Sequence, residues 1–99
     1  MIYNFKIKDE NNKGSINILN DDGTYLIYGL KVSKFYRNEG LGSHLLKLAE
    51  RTIKKLGYKE IFLYVIQNSW MHNWYKKCGY VDTNDICEEN YVKMKKKLE

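Results

Sequence analysis

The hydrophobic period of this chain changes once, near residue 40, and that change constrains the fold more than any other feature. Before it, apolar residues recur at every second position. Tyr3, Phe5 and Ile7 alternate with Ile2, Asn4, Lys6 and Lys8, and Ile16 and Ile18 share one side of residues 15–20. The stretch 24–32 is aromatic and β-branched, with Tyr25, Leu26, Ile27, Tyr28, Leu30 and Val32. A period of two reads as strands, and the polar clusters at 9–14 and 21–23 read as turns between them. After the change, Leu41, Leu45, Leu48, Ala49, Ile53 and Leu56 form one helical stripe. Lys47, Glu50, Arg51, Lys54 and Lys55 fall largely off it, and Gly57 is suited to end the helix.

The rest of the chain continues in alternation. Residues 60–66 are a near-continuous apolar run of strand length, a pattern expected of a central strand covered on both faces. Asn68 or Ser69 can cap a second, short helix with Trp70, Met71, Trp74 and Cys78 on its buried side, and Gly79 stops it. Residues 80–82 and 91–98 read as two closing strands. The order βββ-α-β-α-ββ predicts a mixed α/β fold with a mostly antiparallel sheet. One parallel pair, the third and fourth strands, is joined by a right-handed crossover. With 99 residues and no repeat or linker, residues 1–99 are expected to form a single domain.

Charge is unevenly placed. The chain's net charge is +5, and residues 34–81, with nine basic and three acidic residues, carry +6 of it against −1 for the rest. A basic middle segment calls for an anion, although a solvated lysine-rich face accounts for it equally well. The chain has fifteen Lys but two Arg, which makes Arg37 and Arg51 the more informative cations. No apolar run approaches the ~18–20 residues that span a bilayer. The first residues hold no long apolar stretch ahead of a small-residue cleavage site, so a cytoplasmic chain is expected. Cys78 and Cys87 are too few for a disulfide framework, and with His44 and His72 they show no zinc-ligand spacing, so no metal is expected.

Between the third strand and the first helix lies the run Val32-Ser33-Lys34-Phe35-Tyr36-Arg37-Asn38-Glu39-Gly40-Leu41-Gly42-Ser43. A strand entering a Gly-containing turn that opens a helix presents unpaired N–H groups and the positive dipole end. Glycines at 40 and 42 keep Cβ atoms away from an anion held there. The run is neither a dinucleotide-binding fingerprint nor a phosphate loop ending in Gly-Lys-Ser/Thr. A plain helix start is the competing reading of it.

Here the chain resembles the GNAT family of N-acetyltransferases. Their pyrophosphate signature is Arg/Gln-x-x-Gly-x-Gly/Ala, five residues after a strand valine. Arg37-Asn38-Glu39-Gly40-Leu41-Gly42 fits it, five residues after Val32. A second family pattern follows the next strand, and Asn68, Met71, Tyr75 and Gly79-Tyr80 match its spacing. The closing stretch 91–98 also looks like the family's last strand. The resemblance implies acetyl-CoA as co-substrate and an amine acceptor of unspecified kind. It implies cofactor contacts from Leu30, Lys31, Val32, Arg37, Asn38, Glu39, Gly40, Leu41, Gly42, Ser43, Asn68 and Tyr75. Asn68 would sit where two parallel strands splay, so that the pantetheine arm can bond to backbone; capping the helix is its competing role. Tyr75 would protonate the departing thiolate, since a phenol of pKa ~10 keeps its proton at neutral pH. Packing among Trp70, Trp74 and Tyr80 is its competing role. Lys76 and Lys77 suit either the 3′-phosphate or an exposed face, His72 is expected on the helix surface, and Cys78 in the core.

The chain departs from the family twice. Family members often carry a carboxylate base four residues ahead of the signature valine, where this chain has Tyr28, a weak base able to relay a proton through water. A lysine amine of pKa ~10.4 is neutral in about one molecule in 2,500 at pH 7, a handicap of ~4.6 kcal/mol, so the base matters. The helices that usually separate the family's first two strands are also missing. That leaves the acceptor groove open and apolar surface uncovered, from which a homodimer is expected. A coenzyme A-binding module without turnover is the rival reading. A nucleic-acid-binding domain is disfavoured, because the basic residues are not interleaved with exposed aromatics and no such motif is present.

Overall fold

A computed structural model describes residues 2–9 (backbone alone for 2–5), 11–21, 23–33, 40–85 and 87–98. The elements follow the order set by the hydrophobic periods: β1 (Ile2–Lys8), β2 (Gly14–Asp21), β3 (Thr24–Val32), α1 (Leu41–Lys55), β4 (Glu60–Ile66), α2 (Trp70–Lys77), β5 (Val81–Asp82) and β6 (Tyr91–Lys97). The six strands form one sheet in the order β1-β2-β3-β4-β6-β5. Every neighbouring pair is antiparallel except β3 and β4.

Register assigns the two faces. Ile18 pairs with Ile27, Ile27 with Leu63, and Leu63 with Met94, so these four share a face. All four are buried and form one cluster with Leu45, Leu46, Ala49 and Ile53 of α1 and with Tyr75 of α2. The opposite face carries Tyr28, Tyr64, Ile66 and Tyr91, each about half exposed. Strand β4 is therefore buried on one side only, against the two-sided cover expected of its apolar run. Residues 61, 63 and 65 are buried, whereas 64 and 66 are exposed.

The helix phases also differ in detail from the sequence reading. In α1 the buried residues are Leu45, Leu46, Ala49 and Ile53, and Leu56 lies past the helix end, half exposed. In α2 the buried residues are His72 and Tyr75, while Trp70 is 73% exposed. Of the expected stripe, Met71, Trp74 and Cys78 pack against the core, and Trp70 alone falls outside it. Here the buried face is decided by what the polar ring of His72 can bond.

One local feature shapes everything around the site. Ser15 pairs with Lys31 and Asn17 with Tyr28, so Ile16 alone stands opposite Gly29 and Leu30. This is a β-bulge, and bulges bend the strand that carries the extra residue. Gly29 takes φ 63, in the left-handed region. A Cβ there would also stand 2.7 Å from Nδ2 of Asn17. Pairing of β3 with β4 is confined to Leu26–Phe62 and Ile27–Leu63, just before the bulge. From Tyr28 and Tyr64 onward the two parallel strands part.

The bulge makes a stability prediction. Gly29→Val places a β-branched residue at positive φ and is expected to cost about 2 kcal/mol in urea denaturation at unchanged m-value. Gly29→Asn, which tolerates that region, should lose less than half as much. Equal losses would mean that the left-handed backbone is not what position 29 requires.

Candidate active site at the strand splay

Three segments meet around the gap between β3 and β4: the end of β3, the start of α1, and the turn from β4 into α2. Leu30, Lys31 and Val32 occupy the end of β3 beyond the bulge. Lys34, Arg37, Asn38 and Glu39 lie outside the described residues. Gly40 is the N-cap of α1, in the left-handed conformation at φ 77, and no side chain caps the helix. The first amide in the helical ladder is that of His44, which donates to the Gly40 carbonyl at 3.0 Å. The N–H groups of Leu41, Gly42 and Ser43 are therefore left without intrahelical partners. The first turn holds no acidic residue. A Cβ on Gly42 would meet only the Trp74 ring and Val32 Cγ2, at 3.8–3.9 Å, which is ordinary contact. The fold's own packing thus leaves room for a side chain at position 42.

The start of α2 is built differently. Ser69, not Asn68, is its N-cap, and Ser69 Oγ accepts from the His72 N–H at 3.1 Å. Asn68 sits one residue earlier at φ 61 and is exposed. Its N–H donates to His72 Nδ1 at 2.9 Å, while His72 Nε2 lies 2.8 Å from Asp82 Oδ1. His72 is 2% exposed, contrary to the surface position expected of it. Sequence reasoning missed its role; the signal available was its i, i+3 spacing from Tyr75, which puts both on one helix face.

Tyr75 lies one turn further along α2 and is 6% exposed. Its ring packs edge-on against Trp74 at 5.1 Å and Tyr80 at 5.5 Å. No buried side-chain oxygen or nitrogen among the described residues lacks a partner, and no hydrogen bond engages the Tyr75 hydroxyl. The hydroxyl therefore keeps some solvent access while its ring is enclosed. Burial first, and Cys78 second, push the phenol from 10.0 up to about 12. Behind it, Tyr80 donates to Glu50 at 2.8 Å, and Lys96 Nζ bridges Glu50 at 3.1 Å and the Cys78 carbonyl at 2.9 Å. That network ties the end of α2 to α1 and β6. Burial, then Glu50, drive the Tyr80 phenol far upward. The Cys78 thiol is also raised, mainly by burial, which does not suit a nucleophile. Lys76 and Lys77 are exposed in the last turn of α2.

On the open face, Tyr28 of β3 and Tyr64 of β4 stand side by side where the strands part, since register places 27 beside 63. Next to Tyr64 is an open cavity of about 630 Å³, lined by Tyr64, Asp85, Cys87, Glu88, Tyr91 and Lys93. Lys93 Nζ lies 4.8 Å from the Phe62 ring centroid and 3.8 Å from Asp85 Oδ2. The sequence reading had no means to find this group, because β4, β6 and the segment between β5 and β6 meet only through sheet order. Among the described residues no helix is long and apolar enough to cross a membrane.

Residues 5–80 match the Acetyltransferase (GNAT) family. The chain is 39% identical over 62 residues to the protein named "Probable N-acetyltransferase 14" of Xenopus tropicalis, an alignment covering 61% of this chain and 30% of that relative. It thus spans under a third of that relative's length. Its fold is similar to PaiA N-acetyltransferase from Thermoplasma acidophilum, solved in complex with coenzyme A, at TM-score 0.78 and 26% identity over 97% of this chain and 60% of that one. It is also similar to the ribosomal-protein-S18-alanine N-acetyltransferase from Escherichia coli, at TM-score 0.75 and 16% identity over 99% of this chain and 70% of that one. The chain belongs to the GNAT acetyltransferase family.

The buried phenols carry a pH prediction. The folded protein holds the Tyr75 proton more tightly than the unfolded chain, whose tyrosines titrate near ~10. Its contribution to stability is complete below pH ~10 and is lost as pH rises through about 12. Urea midpoints measured from pH 8 to 12 should fall on the alkaline side, and less steeply for Tyr75→Phe. An identical alkaline slope in both proteins would contradict the burial argument.

Proposed function

We propose that this chain is an acetyl-CoA-dependent N-acetyltransferase acting by direct attack of a primary amine. The observation that carries the reading is the uncapped start of α1 beside the splay. Three N–H groups without intrahelical partners, no acidic residue in the first turn and a glycine with room above it make a fitting seat for a pyrophosphate. Arg37, Asn38 and Glu39 belong to the same seat by the family pattern. The parted ends of β3 and β4, with Leu30, Lys31, Val32 and Asn68, flank the gap in which an extended pantetheine arm would lie. Acetyl-CoA supplies the activated acetyl thioester.

The chain's own residues divide the proton work between the two faces. Tyr75, on the helix face, keeps its proton and gives it to the coenzyme A sulfur as the C–S bond breaks and the N–C bond forms. Its upward shift means the acid form persists well beyond neutral pH. On the open face, Tyr28 relays the amine's proton to water. The acceptor arrives from that face, along the cavity beside Tyr64. Two carboxylates and two tyrosine rings suit a cationic acceptor, and Lys93 already rests there as an ammonium over an aromatic ring. A coenzyme A-binding module without turnover is the second reading, favoured by the absence of any Asp or Glu from β3.

Transfer of label from acetyl-CoA, screened over mono- and polycationic amines and basic peptides, separates the two. Gly42→Val should leave the fold intact and abolish acetyl-CoA binding in calorimetry; wild-type affinity would remove the proposed seat. Tyr75→Phe keeps the ring, so stability at neutral pH and acetyl-CoA affinity should hardly change. Its kcat should fall ~10²–10³-fold with KM little altered, because the proton is needed only as the bond breaks. Near-full kcat in Tyr75→Phe would make the residue a packing element.

A further inference from the structure

We propose that His72 is a positioning residue: its neutral imidazole, with the proton on Nε2, locks the Asn68 turn in the geometry that the acetyl-CoA arm requires. The proposal rests on the acetyltransferase reading of the splay. The geometry assigns the tautomer. Asn68 N–H donates to Nδ1 at 2.9 Å, so Nδ1 carries a lone pair, and the proton is on Nε2, 2.8 Å from the Asp82 carboxylate. The backbone N–H of His72 itself donates to Ser69 Oγ at 3.1 Å. His72 thus stands third in the helix, where a glutamate would complete a capping box by reaching back to a backbone N–H. A glutamate could accept from Asn68, but it would set a second carboxylate against Asp82. Neutral imidazole accepts on one side and donates on the other, and so joins the end of β4, the start of α2 and β5.

That junction bears on the site in two ways. Asn68 holds φ 61, a left-handed state that asparagine tolerates but that needs a bond to hold it in one place. That bond is the one to His72, and at 2% exposure water does not replace it. Tyr75 follows His72 by three residues on the same helix face, so the ring that fixes the Asn68 turn also fixes the rotation of α2. No other part of the described chain ties Asn68 to the body of the protein by a side chain.

The test compares His72→Phe with His72→Gln. Phenylalanine fills the space and can neither accept from Asn68 nor donate to Asp82; the glutamine amide can do both. His72→Phe is expected to raise the acetyl-CoA dissociation constant and KM ~10-fold or more, the scale on which small misplacements act. His72→Gln should stay within ~3-fold of wild type. Nitrogen chemical shifts of the wild-type imidazole should show Nε2 protonated and Nδ1 not. Protonated Nδ1 overturns the proposal whether or not a variant folds, as does a folded His72→Phe with wild-type affinity or a folded His72→Gln that binds no better than the phenylalanine variant. A wild-type protein that binds no acetyl-CoA overturns instead the reading of the splay on which the proposal rests.

Discussion

Two parallel strands that pair at only two positions are the constraint on which the rest of this structure depends. A parallel pair normally continues along the strand, since each further residue adds a ladder bond. Here β3 takes up an extra residue at Gly29–Leu30 against β2, and the bend that follows carries it away from β4. On the proposed reading an extended ligand lies in the gap between the parted strands, so that a defect in pairing doubles as a binding feature.

The two helices close the gap from the same side by opposite chemistry. In α2 the His72 N–H is answered by Ser69 Oγ, and the imidazole of His72 answers the Asn68 N–H just ahead of the helix. In α1 the corresponding groups are left open, next to a glycine that the surrounding packing does not require to be bare. The positive ends of aligned peptide dipoles favour negative charge. On the proposed reading the anion sits at the start of α1, and α2 carries Tyr75. The Glu50–Tyr80–Lys96 network braces the far end of α2 against α1 and β6.

The other side of the sheet carries no helix among the described residues. Strands β1 and β2 are joined by a turn in which Asp9 accepts from the Asn11 N–H at 3.0 Å, so nothing is inserted there to cover the sheet. The face left open carries tyrosines and lysines, with an acidic segment between β5 and β6 beside them. Opposite charges and aromatic rings on an uncovered sheet make a surface that a charged, flexible amine can approach without displacing protein.

Much of this was legible in the sequence. The switch in hydrophobic period set strand against helix, the turn residues set the hairpins, and strand–helix–strand order forced β3 and β4 parallel, because those are local or topological properties. The glycine-bearing junction and the Asn68–Tyr75 spacing pointed to the family for the same reason: each is a pattern on one short stretch of backbone. What the sequence did not determine is whatever depends on two distant stretches meeting. The bulge at Gly29 is visible only against Asn17 of β2. The apolar run of β4 looked covered on both sides, yet exposure is set by which face the helices take. His72 looked like a surface residue, because a polar ring is buried only where partners await it, and Asp82 reaches it only once β5 has joined the sheet beside β6.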